Sequence, residues 1–272
     1  MLGLALTNVG SSQQEPGAKK AQEALIQEAY AKHNANVRQL LPKYSGPPLL
    51  LDLSHRRIED GMCDPEQHAA WEARFNGIMS GAYITDRGIS RPSEATATAL
   101  TTIDTFGPIY SLPARDAVVV VARPIAGRVC IPQRRSYVYT KFTLQVLKDF
   151  RPGNSSKKLP QPTKQVTAVE FGGSVRFPSG FLETFLLDQR GFMEVGKKYV
   201  LFMWKAASPD DRLVISQAYL IQDGLVYPVN TDGDGQKGYT KMPLAEFEGA
   251  VQAAVDRNID TDLLPNVHAT PR

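Results

Sequence analysis

The densest chemistry in the chain is Asn230-Thr-Asp-Gly-Asp-Gly235. Oxygen ligands at its first, third and fifth positions (Asn230, Asp232 and Asp234), followed by glycine at the sixth, match the opening of a twelve-residue calcium loop. The twelfth position holds Lys241 where a bidentate glutamate is needed, and the residues before the loop read as a strand instead of a helix. A cation there removes the heaviest ligand, so a solvated Asp/Gly turn competes with the calcium reading. No other cofactor is expected.

His55, Cys63 and His68 bring imidazole and thiol groups into one region, with Asp60, Asp64 and Glu72 nearby. Their spacing fits no standard zinc pattern, and His68 stands close to Trp71 on an expected helix, where packing or capping is commoner. A Cys63–His55 pair is also the minimal kit of a thiol hydrolase, in which imidazole activates the thiol. The neighbouring Ser54-His55 says little, because catalytic triads assemble in space and not along the chain. Gly172-Gly173 and the glycines over 233–238 lack the helix that a phosphate loop requires. Cys63 and Cys130 are the chain's two cysteines, too few for a disulfide framework or a four-thiolate zinc site. Two readings stay open for them: a pair formed in an oxidising compartment, or two buried thiols.

A third candidate surface comes from Tyr137 to Lys148. Val138, Thr140, Phe142, Leu144 and Val146 alternate with Tyr137, Tyr139, Lys141, Thr143 and Gln145, the two-residue period of a half-buried strand. Tyr137, Tyr139 and Lys141 then fall on the wet face, with Arg134 and Arg135 in the preceding turn. Aromatics beside cations are how OB barrels stack oligonucleotides or oligosaccharides. Against this, exposed tyrosines are ordinary on sheets and the formal net charge is only +3.

The elements that must position these groups are mainly strands. Ala117–Ala122 is a valine run suited to a strand buried on both faces, continuing past a Pro124 bend to Ile131. Strands follow over 165–171, 174–177 and 181–187, 195–204 reads as a turn and then a strong strand, and Leu213–Gln222, Asp223-Gly224, Leu225–Val229 is the clearest hairpin. Helical spacing marks 16–43, 64–80 and 243–256, with a further short helix around 93–102; Leu244, Phe247, Val251 and Val255 share one face of the C-terminal helix. The expected fold is mainly β (α+β overall), a small antiparallel OB-like barrel with N-terminal helical decoration and a C-terminal helix. Residues 1–15 read as disordered or as a leader remnant, 16–112 as a helical and irregular arm on the barrel, 113–257 as the barrel with its helix, and 258–272 as a tail.

With 42% hydrophobic and 22% charged residues, neither general disorder nor a membrane bundle is indicated. The apolar start Met1-Leu-Gly-Leu-Ala-Leu6 is shorter than a secretory leader, so it reads either as the end of a missing leader or anchor or as a frayed cytosolic terminus.

The run Asp116-Ala-Val-Val-Val-Val121, the Thr-Lys-Phe-Thr-Leu-Gln-Val strand ending in Leu-Lys, the Gly-Gly pair and Val-Gly-Lys-Lys-Tyr-Val-Leu-Phe together resemble netrin-like and metalloproteinase-inhibitor-like OB barrels. The similarity is greatest to cysteine-poor versions in uncharacterised bacterial extracytoplasmic proteins, over residues 116–229. The animal proteins' N-terminal cysteine and disulfides are missing, so an inhibitory mode built on that cysteine does not carry over. The resemblance implies a fold and a bias towards the periplasm or secretion, with a cytoplasmic location as the alternative. The leading functional expectation is a non-enzymatic extracytoplasmic binding or interaction module for a protein or glycan partner. A nucleic-acid- or oligosaccharide-binding OB protein comes second, and a Cys63/His55 hydrolase third; contact with a membrane is expected only through a missing N-terminal anchor.

Overall fold

The computed structural model describes residues 24, 28, 31–32, 35–63, 83–90, 118–133, 135, 137–150, 165–186, 190–205, 213–229 and 239–256. The helices expected over 64–80 and 93–102 lie outside these residues. Two compact units are present, Met1–Gln39 and Leu40–Arg272. In the first, every described position is helical, as the spacing over 16–43 predicts.

The second unit is built on strands. In chain order they are β1 (Leu50–Asp52), β2 (Tyr83–Thr85), β3 (Gly88–Ser90), β4 (Val118–Cys130), β5 (Tyr139–Phe150), β6 (Gln165–Phe171), β7 (Gly173–Arg176), β8 (Leu182–Phe185), β9 (Lys198–Lys205), β10 (Leu213–Gln222), β11 (Leu225–Pro228) and β12 (Met242–Pro243). Five of them close a barrel in the order β4-β5-β6-β10-β9 and back to β4. All contacts are antiparallel except β6–β10, which is parallel. This is the five-stranded Greek-key arrangement of OB barrels.

Alternation along each strand decides what faces inward. Val120, Ala122, Phe142, Leu144, Val146, Ala168, Leu201 and Met203 fill the interior with Ile215 and Leu220. The opposite face of β4 is also buried: Val119 and Val121 join Val200, Phe202, Tyr219 and Val226 in a second cluster against Phe247 and Val251 of the C-terminal helix (Leu244–Asp256). That is why the valine run lacks polar alternation. Pro124 cannot donate to the ladder, and the pairing with β5 shifts register between Val121 and Ala122 and between Pro124 and Ala126, bending β4 around the barrel.

The β10–β11 hairpin turns at Asp223 (φ 52°) and Gly224 (φ 74°), both left-handed, as a two-residue turn between twisted strands requires. A three-stranded sheet, β1-β7-β8, sits beside the barrel, with β1 parallel to β7. It is reached through Gly172 (φ 98°), where a Cβ would stand 2.5 Å from the Phe185 carbonyl oxygen. Leu49–Leu53, too short to classify from sequence, supplies β1, and the hairpin β2–β3 was not evident in a stretch rich in turn residues.

The C-terminal helix is held by Phe247, fully buried between Phe202, Tyr219 and Tyr239, and by an ion pair from Lys148 to Glu248 at 2.6 Å. Phe247→Ala is expected to cost about 3–5 kcal/mol, because the void it leaves is walled by rings. Equilibrium denaturation checks this; a loss below about 1 kcal/mol would mean that the helix is not anchored there.

Candidate functional site

The expected ligand surface is where the structure departs furthest from the sequence reading. Tyr137 is 2% exposed and Tyr139 is fully buried. Their rings lie 6.1 Å apart in a cluster with Phe171, Val169, Val214, Cys63 and Cys130 on the outside of the barrel. The strand period was read correctly, but the face assigned to water carries a second layer. Among the described residues Cys63 contributes to that layer, and burial leaves Tyr137 and Tyr139 no stacking platform to offer a ligand.

Several contacts hold the segment that ends at Cys63 against the barrel. Met62 bridges Ile131, and the Ile131 N–H donates to the Gly61 carbonyl at 3.0 Å. The Tyr139 hydroxyl donates to the Cys63 carbonyl at 3.4 Å. Cys63 and Cys130 form a disulfide across 67 residues of sequence, which resolves the open pairing question. Around the corner, Leu53, Ile58 and Ile84 pack with Val129, Ile131, Val138, Val175 and Phe177 as a separate small core.

The remaining members of the candidate surface fare differently. Arg135 adopts a left-handed backbone (φ 54°) that turns its carbonyl towards the Ile84 N–H at 2.8 Å. Its guanidinium pairs with Glu59, whose carboxyl is held below its ordinary value by its own backbone N–H and by Arg135. Arg135 therefore fastens the arm and is not available for a phosphate. Lys141 stays on the outer face, half-buried. Arg134 and the calcium candidates Asn230, Asp232 and Asp234 lie outside the described residues, as does His68.

The hydrolase reading needs correction as well. As a disulfide sulfur, Cys63 has no thiolate to attack with, and His55 is exposed on a turn. The Ser54 hydroxyl donates to Asp52 at 2.7 Å, closing a local turn instead of addressing His55. Asp52 also pairs with Arg176 at 3.1 Å. Burial acts to raise the Asp52 carboxyl, yet the Ser54 hydrogen bonds and Arg176 hold it below its ordinary value.

The structure adds a group that sequence reasoning missed. Glu170 sits on β6 opposite Thr140, on the same side as the inward Ala168, and is 4% exposed. The Met193 N–H donates to its carboxyl, Arg190 acts on it through space, and its Oε2 has no hydrogen-bond partner among the described residues. Burial pushes the carboxyl up to about 8, and the same burial pushes the Arg190 guanidinium down. Nearby, the Tyr199 hydroxyl accepts the Glu194 N–H at 2.7 Å, and burial raises the phenol. The break in apolar alternation at Val169-Glu170-Phe171 was the available signal, but it is equally what a surface glutamate looks like.

A void of about 10 Å³, apolar at its surface, lies among Val118, Val120, Val146, Asp149, Val166, Met203 and Leu213. It admits at most one water.

Two measurements test this description. Replacing both Cys63 and Cys130 with Ala is expected to cost about 4 kcal/mol through the entropy regained by the unfolded chain, read by denaturation of oxidised and variant protein. A cost near zero would mean that the arm is held without the bond. For Glu170, an unfolded glutamate releases its proton near 4.5 and the folded one only near 8. Stability from this group is therefore greatest below pH 4.5, declines as pH rises to about 8, and is level above that. Glu170→Gln is expected to flatten that decline and to melt several degrees above the parent at pH 8; parallel melting profiles across the window would refute the buried-acid assignment. Against known proteins, the chain matches no family model, no curated protein and no solved structure.

Proposed function

We propose that this chain is a non-enzymatic extracytoplasmic binding or interaction module, an OB-like barrel that presents its outer surface to a partner. The observation that carries the reading is the Cys63–Cys130 disulfide, which ties the arm to the first barrel strand. Structural disulfides form and persist in oxidising compartments, the periplasm and the cell exterior among them. The side-chain-filled interior favours a partner held on the outside over a small molecule held within. Occupation of Cys63 by the disulfide takes away the nucleophile on which the hydrolase alternative rested. The resemblance to netrin-like barrels of extracytoplasmic proteins points the same way.

The test is to express the tagged protein from its native coding region, including whatever lies upstream of Met1, and to fractionate the cells. Thiols are then blocked before reduction and the cysteines assigned by mass. Recovery outside the cytoplasm with both cysteines protected is expected. A cytoplasmic protein carrying two free thiols would overturn the proposal.

A further inference from the structure

The outer faces of β4, β5 and β6 are covered at both ends and open between. Towards one end the arm buries Cys130, Tyr139 and Phe171, which stand side by side in register. Towards the other, the C-terminal helix covers Val119, Val121 and Phe150. The rows between them pair Arg123 with Gln145 and Gln165, Ala126 with Thr143 and Thr167, and Arg128 with Lys141. Arg128, Thr167 and Gln165 are exposed, and Arg123, Thr143, Gln145 and Lys141 are half-buried.

The chemistry of this band is one-sided. Among the described residues it holds three cations and no carboxylate, and of the three Lys141 already has an interaction of its own. Arg128 stands directly opposite Lys141, which sets two cations side by side on neighbouring strands. The Arg123 Nε is buried without a hydrogen-bond partner, and no ion pair reaches the Arg123 or Arg128 side chain among the described residues. Between the cations lie two amides and two hydroxyls, groups that both donate and accept. The band is about 10 Å wide across three strands and about 14 Å along them.

We infer that this band binds an anionic polysaccharide, with Arg128 and Arg123 on its acidic groups, Lys141 adding positive charge beside them, and Gln145, Gln165, Thr143 and Thr167 on its hydroxyls. The inference rests on the binding-module reading and names its ligand class. An open sheet face, unlike a concave pocket, suits a polymer lying along it. A glycan is favoured over a nucleic acid because the aromatics of this face, Tyr137, Tyr139 and Phe171, are buried and leave no ring on which bases could stack.

The experiment titrates the oxidised full-length chain with an oligogalacturonate, with a neutral oligogalactoside and an oligothymidylate of matching length as comparisons. The expected result is oligogalacturonate binding that weakens with salt, little binding of the other two, and about a tenfold loss in Arg128→Glu at a melting temperature no lower than the parent's. Arg87→Glu, a charge reversal on the exposed turn between β2 and β3, should leave affinity within about twofold. Absence of binding at low salt, an equal loss in Arg87→Glu, or tighter binding of the oligothymidylate would each overturn the inference. An exported, oxidised chain that ignores the uronate removes the glycan but leaves the module reading standing; a cytoplasmic chain with free thiols removes the module reading itself.

Discussion

Strand β9 pairs with β4 along one edge and with β10 along the other, and that double pairing makes a closed barrel out of what would otherwise be an open sheet. Closure abolishes two sheet edges and sequesters the inward side chains of all five strands from water. The parallel contact between β6 and β10, recorded at Leu213 and Val214, is short, because the chain has by then made a crossover through β7, β8 and β9. Pairing of β9 therefore carries much of the closure, and its Tyr199, Val200, Leu201, Phe202 and Met203 are buried on both faces.

A barrel this small cannot bury every apolar side chain inside. Val119, Val121, Val200 and Phe202 point outward and would face water if the barrel stood alone. The C-terminal helix answers this on one side, through Phe247 and Val251, and the disulfide-tied arm on another, through Cys63. The molecule is thus layered, with one interior core and separate outer cores. What each cover leaves exposed determines where a partner can sit.

Among the described residues Glu170 is the ionisable exception to the apolar interior, with the uncharged Thr140 buried opposite it. A carboxyl with one unmet oxygen in such a place weakens the fold at neutral pH, and it is tolerated because its neutral form is the one the barrel holds. Arg190 and the Met193 amide lie on the segment that leads from the β7–β8 hairpin towards β9, so this acid faces the return path into the closing strand.

Local patterning determined a good deal. The two-residue period at Val138–Val146, the doubly buried valine run, the Asp223-Gly224 turn and the Leu244–Asp256 helix were all legible, because each depends on neighbours a few residues away. The period assigned Tyr137 and Tyr139 to one face and Phe142 to the other. It had no means of telling that the tyrosine end of the outer face is buried as well, since Cys63, which packs on the tyrosines, lies more than seventy residues earlier. The same limit applied to Cys63 and Cys130, whose pairing depends on β4 and the arm meeting in space, and to Glu170, which reads as a surface residue until the barrel closes around it. Which residues alternate is a property of the backbone's pleat and belongs to the sequence. Which of the two faces meets water is set by what other parts of the chain pack against it, and only the tertiary structure decides that.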